Sequence, residues 1–205
     1  MSGYSCLTLT TDYGLEAGFV GVLHAVVFKI APALRVIDLD HSIHPQDVRL
    51  GALRLERYMS YAPPGVHVAV VDPGVGGDRR PIAVRAGDNV FVGPDNGLVV
   101  WAAERSARGE ELEAFWLDNE EYWLAERSTT FDGRDIFAPA AAHVAIGTDL
   151  SRLGSRLETS SLLRLHRPVA VVNEQGGAEL EVLQVDGFGN LQLGAGPETL
   201  GVIGI

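Results

Sequence analysis

Asp72 and Arg79 stand at the two ends of the segment DPGVGGDR, an acid and a guanidinium joined by a glycine-rich stretch. Gly74, Gly76 and Gly77 let the backbone reverse tightly, so the two side chains can converge on one small volume. Held in that way, a carboxylate and a guanidinium can orient a water molecule or a small polar group. The segment also reads as an ordinary Asp-Pro-Gly turn with solvated arginines. Its company favours a site. Thr10, Thr11 and Asp12 follow one apolar run, Asp38, Asp40 and His41 follow a second, and Asp72 follows a third. Turn chemistry does not require carboxylates after three successive strands, whereas ligand orientation and acid-base work do.

A further cluster lies in TTFDGRDIFAP, which supplies Thr130, Phe131, Asp132, Gly133, Arg134 and Asp135 ahead of an apolar helix. Asp135 reads as that helix's cap. Asp132 is then left to face a ligand. His41 and His44 in DLDHSIHPQD allow a metal-site reading, but no His-Glu-x-x-His or comparable ligand spacing supports it, and His41 reads better as ordering its loop. DPGVGG is not a phosphate loop, because it lacks Gly-Lys-Ser/Thr and opens with a carboxylate that repels phosphate.

These residues need a scaffold that brings strand ends together. CLTLT is a strand, followed by a helix with Phe19, Val22, Leu23, Val26, Val27 and Ile30 on one face and Pro32 beyond its end. LRVIDLD is a second strand, DVRLGALRLERYMSY a helix with Val48, Ala52, Leu55 and Met59 in register, and VHVAVV a third strand. This alternation predicts an α/β fold, a largely parallel sheet flanked by helices, with ligands at the carboxyl ends of its strands. PIAVRA and VFVG form a hairpin around GDN, and DIFAPAAAHVAIG a buried helix with Ile136, Phe137, Ala140, Ala141 and Val144 inward. From about Pro168 the pattern changes to strand, glycine turn, strand, loop, strand, the beginning of an all-β, barrel-like segment. The expected division is residues 1–165 and 166–205.

With 205 residues, 46% of them hydrophobic, the chain can bury a substantial core. A net charge of -11, with only 16 basic residues and those scattered, argues against nucleic acid and for a cationic small ligand. The single Cys6 lies in an apolar strand and reads as a core residue. There is no basic, apolar leader and no run long enough to span a membrane, so a cytoplasmic protein is expected.

LTLTTDYG, VIDLDHSIHPQDV, HVAVVDPGVGGDRRPIAV, FVGPDNGL, TTFDGRDIFAPAAAHVAIG and VDGFGN together resemble, in order and approximate spacing, the S-adenosylmethionine hydroxide adenosyltransferases, hydrolytic relatives of the adenosyl fluorinase and chlorinase. The resemblance runs to about Leu193. It implies an N-terminal α/β domain and a C-terminal β-barrel, a homotrimer with substrate between subunits, no cofactor and no metal. The implied reaction is attack of water or hydroxide on the ribose 5′ carbon of S-adenosylmethionine, giving adenosine and methionine. By the same resemblance Asp12 meets the ribose hydroxyls, Asp72 and Arg79 are two members of a water-handling triad, Asp186 holds the methionine part, and Phe188 and Asn190 contact adenine. Thr11, Val75, Phe131 and Gly133 count among the substrate-binding positions. The family motif FHGRD has histidine where Asp132 stands, and five residues after Asp12, where Ala17 stands, the family has an aspartate that meets the substrate amine; the family's barrel also continues well past the equivalent of Ile205. These departures keep a non-catalytic S-adenosylmethionine or nucleoside binder in view as an alternative, with a halogenase as a second.

Overall fold

VHVAV is apolar but for one histidine and shows no alternation, the pattern of a strand covered on both faces, and it forms a fully buried inner strand of the main sheet. The computed structural model describes residues 3–168, 170–172, 177–194 and 201. Its elements run β1 (Cys6–Thr11), α1 (Phe19–Ile30), β2 (Arg35–Asp40), α2 (Val48–Tyr58), β3 (Val66–Val70), β4 (Pro81–Ala86), β5 (Asn89–Pro94), α3 (Val100–Ala107), β6 (Glu113–Trp116), a π-helix (Gly133–Phe137) continuing into α4 (Ala138–Ala145), α5 (Leu150–Leu153) and β7 (Arg156–Leu157). The seven strands lie in the order β2-β1-β3-β5-β4-β6-β7. β2, β1, β3 and β5 are mutually parallel, and the site develops at their carboxyl ends. The hairpin β4–β5 and strands β6 and β7 extend the sheet antiparallel.

Val66, Val68 and Val70 are all but inaccessible, and each such burial contributes about 1.5–3 kcal/mol. His67 interrupts this apolar run without cost to its neighbours, because its ring bonds Thr8 Oγ1 on β1 at 2.9 Å and Asn89 Oδ1 on β5 at 2.9 Å. β1 and β3 are thereby pinned in register.

α1 packs through Val20, Leu23, Val26 and Val27, not through the whole face expected from spacing. Phe19 and Val22 are exposed, because FVGVLHAVVFKI is apolar nearly all round and its periodicity leaves the inward stripe ambiguous. α2 begins where Asp47 accepts the Leu50 N–H at 2.9 Å, and Met59 lies just past its end. The π-turn before α4 has a local cause. Pro139 has no N–H and crowds the carbonyl four residues back, that of Asp135, which instead accepts the N–H of Leu124 at 2.9 Å. The loop leading to Asp132 is thus tied to the helix that follows it. Among the described residues no helix is long and apolar enough to cross a membrane.

The chain divides into two units, Met1–Arg164 and Leu165–Ile205. In the second, β8 (Val171–Val172) pairs antiparallel with β9 (Ala178–Glu179), and β10 (Val182–Val185) with β11 (Leu191–Leu193). Most of the glycine turn expected between β8 and β9, residues 173–176, lies outside the described residues.

Candidate active site

Parallel pairing of Thr11 with Val70 sets the ends of β1 and β3 side by side, and the Asp12 N–H donates to Val70 O at 3.3 Å. Asp12 and Asp72 therefore leave the sheet at neighbouring points. After Asp72 the glycine loop makes two tight turns, Val75 N–H to Asp72 O at 3.3 Å and Gly77 N–H to Gly74 O at 3.0 Å. Gly76 is held at φ 75°, and a Cβ there would lie 2.2 Å from Thr129 O. Glycine is needed for both the conformation and the contact. The loop thus seats directly on the segment that carries Asp132.

Arg79 turns back on the acid that opens its own loop. Its Nε and Nη2 donate to Asp72 Oδ2 at 2.9 and 2.5 Å, and Nη2 also donates to Asp132 Oδ2. Its guanidinium carbon stands 5.3 Å from the centre of the Phe137 ring. Burial by itself would loosen the Arg79 proton, but hydrogen bonds and charge from Asp72 and then Asp132 outweigh it and hold the guanidinium above its ordinary range. One fixed positive charge bridges two carboxylates. Asp72 Oδ1 is left buried and without a partner among the described residues. A buried carboxylate oxygen with lone pairs to spare is an acceptor awaiting a donor.

Tyr13, which spacing alone did not single out, joins this group. Its N–H donates to Thr11 Oγ1 at 3.2 Å, and its ring packs on Phe19 and Phe131 with centroids 5.8 and 5.6 Å away. Its hydroxyl lies so close to Gly133 that a Cβ there would approach it to 2.3 Å. Burial first, then the charges of Asp12, Asp72 and Asp132, raise the phenol's proton affinity strongly against the opposing pull of Arg79. The available sequence signal was its position directly after Asp12 at a strand end.

The other expected residues divide. Asp12 Oδ2 accepts the Gln46 N–H at 2.8 Å, which joins the β1 exit to the loop before α2. Val75 and Phe131 are half-buried, and Gly133 is buried beneath Tyr13. Thr11 is fully buried, its hydroxyl bonded to His41 Nδ1 at 2.8 Å. It shapes the turn instead of lining a surface. His41 Nε2 lies 3.0 Å from Asp38, which also accepts from His24 at 2.8 Å. Asp40 is taken up by Ser42, Arg54 and Tyr58. The second strand end is therefore a brace, and among the described residues no three His, Cys, Asp or Glu side chains gather as metal ligands.

Asp135 is not a cap as expected. It is buried, pairs with Arg134 at 2.6 Å and accepts the Ser128 N–H at 2.8 Å, so it fastens the 128–135 loop. Burial opposes its ionisation, but the bonds from Arg134 and Ser128 prevail and hold its carboxyl below the usual range. In the second unit Asp186 accepts from the backbone N–H of Phe188 and of Asn190 at 2.8 and 2.9 Å, and from Asn190 Nδ2 at 2.7 Å. These bonds close a tight turn that leaves Phe188 95% exposed.

An open groove of about 790 Å³ shares Tyr13 with this group and is otherwise lined by Glu16, Ala17, Asp38, Asp40 and His41 among others, with none of Asp12, Asp72, Arg79 and Asp132 in its wall. Its size suits a nucleoside-scale ligand.

Residues 7–154 match the family model described as the SAM hydroxide adenosyltransferase N-terminal domain. A protein of Salinispora tropica named (R)-S-adenosyl-L-methionine hydrolase is 50% identical over 92% of this chain and 71% of its own length. The crystal structure of an uncharacterized conserved protein from Thermotoga maritima superposes with a TM-score of 0.80 at 36% identity, over 91% of this chain and 70% of that one. The fluorinase of an Actinoplanes species is more distant, at 24% identity over 93% of this chain and 71% of its own.

Proposed function

The chain belongs to the S-adenosylmethionine hydroxide adenosyltransferase family, and we propose that it hydrolyses S-adenosyl-L-methionine to adenosine and L-methionine. One observation carries the reading: Arg79 ties Asp72 and Asp132 together, while Asp72 Oδ1 is buried and makes no hydrogen bond among the described residues. In this reading a water hydrogen-bonded to that oxygen is held beside the ribose, whose hydroxyls donate to the Asp12 carboxylate.

The chemistry asks little beyond this. A lone pair of water forms the O–C5′ bond as the C5′–S bond breaks and its electron pair passes to sulfur. The sulfonium leaves as a neutral thioether, so no acid is needed at the leaving group. The water proton passes to Asp72 Oδ1 and then to solvent, which balances the loss of the substrate's sulfonium charge. Rate enhancement comes from holding water in line with C5′–S and from a fixed acceptor for its proton. The carboxylates of Asp12, Asp72 and Asp132 also favour a cation in this corner of the protein.

In this reading Asp72, Arg79 and Asp132 are the catalytic set, and Phe131, Gly133 and Val75 bound the substrate beside them. Thr11 is a positioning residue acting through His41 and Tyr13. The resemblance assigns Asp186 to the methionine part of the substrate and Phe188 and Asn190 to its adenine, and the Phe188 ring is exposed. Ala17 leaves no carboxylate at its position, and Glu16 on the same groove is the neighbouring acid for the substrate's amine. The reading further includes a cytoplasmic homotrimer that needs no cofactor or metal.

The halogenase alternative is disfavoured by the greater identity to the hydrolase relative, and a pure binder by the intact Asp72–Arg79 pair. Incubating the purified protein with S-adenosylmethionine, in the presence and absence of chloride, should yield equimolar adenosine and methionine in both. A halogenated nucleoside, or no product above a heat-inactivated control, would reject the reading.

A further inference from the structure

The nucleophilic water has two O–H groups and two lone pairs. In the attack one lone pair points at C5′ and one O–H is given to Asp72 Oδ1, which leaves a second lone pair that only a donor can fix. The carboxylates around it accept. Arg79 Nε and Nη2 are already directed at Asp72 and Asp132. The hydroxyl of Tyr13 is a neutral donor close enough to feel the charges of Asp72 and Asp132.

Three observations place it there. The Tyr13 N–H is anchored to Thr11 Oγ1, so the residue leaves β1 in a fixed direction. The ring is clamped between Phe19 and Phe131, themselves 5.1 Å apart and nearly perpendicular. The hydroxyl ends over Gly133, immediately after Asp132, in space that a side chain at that position would fill. β1 and β3 pair as far as Thr11 and Val70, so Tyr13 and Asp72 are also on adjacent strand exits.

Resting on the hydrolase reading above, we propose that the Tyr13 hydroxyl is a further catalytic group of this chain, donating a hydrogen bond to the water that Asp72 accepts from. Its proton is not transferred. The burial and surrounding negative charge that strengthen the phenol's hold on its proton keep it a donor across the working pH range. Tyr13 thus fixes the water's orientation and Asp72 takes its proton.

The test compares the unaltered protein with Tyr13→Phe, which keeps the ring cluster and removes only the hydroxyl. Measured together are S-adenosylmethionine turnover, adenosine binding by calorimetry and the thermal unfolding midpoint. The expected result is a fall in kcat of about tenfold, the scale of one neutral hydrogen bond realised in the transition state. KM, adenosine affinity and the midpoint should hold within about twofold or a few degrees, since the packing is retained. A kcat within twofold of the unaltered enzyme, or a change confined to KM, would overturn the assignment of Tyr13 and leave hydrolysis standing. Absence of adenosine formation by the unaltered protein would overturn both.

Discussion

Replacing Asp72 with asparagine separates the water-handling role from every other role in the site. The substitution keeps shape and hydrogen-bonding capacity but removes the charge that opposes Arg79 and the oxygen that accepts the water's proton. General-base assistance is worth about 10²–10⁴ in rate, so kcat should fall by about 10³. Arg79, only 11% exposed at its side chain, loses one of its two carboxylate partners and keeps Asp132. The stability cost is therefore that of weakening charge-assisted hydrogen bonds, about 1.5–3 kcal/mol, and not that of stranding a buried charge. For a chain of this length that lowers the unfolding midpoint by about 3–12 °C, so an assay at 25 °C still reads folded protein. Adenosine binding, assigned to Asp12 and the aromatic residues, should change by less than about twofold. The assay is product chromatography at saturating S-adenosylmethionine, paired with calorimetric adenosine titration. A kcat within threefold of the unaltered protein, or an equal loss of adenosine affinity, would show that Asp72 does not handle water.

Gly76→Ala forces a side chain into the left-handed region and to 2.2 Å from Thr129 O, so it should destabilise by at least about 1–2 kcal/mol and detach the loop from its seat; an unchanged unfolding midpoint and turnover would refute the role given to that contact. Asp132→His should raise turnover, since it relieves two carboxylates of competing for one guanidinium and supplies a base near neutral pH; a lower rate would mean Asp132 itself is needed. Stability should also depend on pH. Burial lowers the proton affinity of His67 below its ordinary 6.5, with its Asn89 bond opposing, and burial likewise lowers that of His143. The unfolded chain then binds more protons below that value, so stability is complete above about pH 6.5 and is lost as pH falls through the depressed folded value. Denaturant melts from pH 8 to 5 should show this decline before the carboxylate range is reached, and a flat profile would contradict it.

Much of the scaffold was legible because its signals are local. VHVAV announces a strand buried on both faces, and the alternation of strands with helices dictates a parallel sheet whose ends collect Asp12 and Asp72. The convergence of Arg79 was legible from glycine spacing. Less was legible where packing decides. α1 is apolar around most of its circumference, so which residues face inward depends on the sheet it meets. Asp135 looked like a cap because its helix was read as regular, and the π-turn forced by Pro139 places it elsewhere. Asp38 and Asp40 looked like site residues at a strand end, but His24 from α1, Arg54 and Tyr58 from α2 and the adjacent His41 absorb them. Tyr13 escaped notice because its meaning depends on Gly133, far along the chain and bare enough to let a hydroxyl rest on it.

The central claim is that water held against Asp72 attacks the ribose 5′ carbon. Turnover of S-adenosylmethionine in water enriched in oxygen-18, followed by mass analysis of both products, measures this directly. The account requires one heavy oxygen in adenosine, located at the 5′ hydroxyl, and none in methionine. Label in methionine instead, or adenosine formed without label, would contradict it.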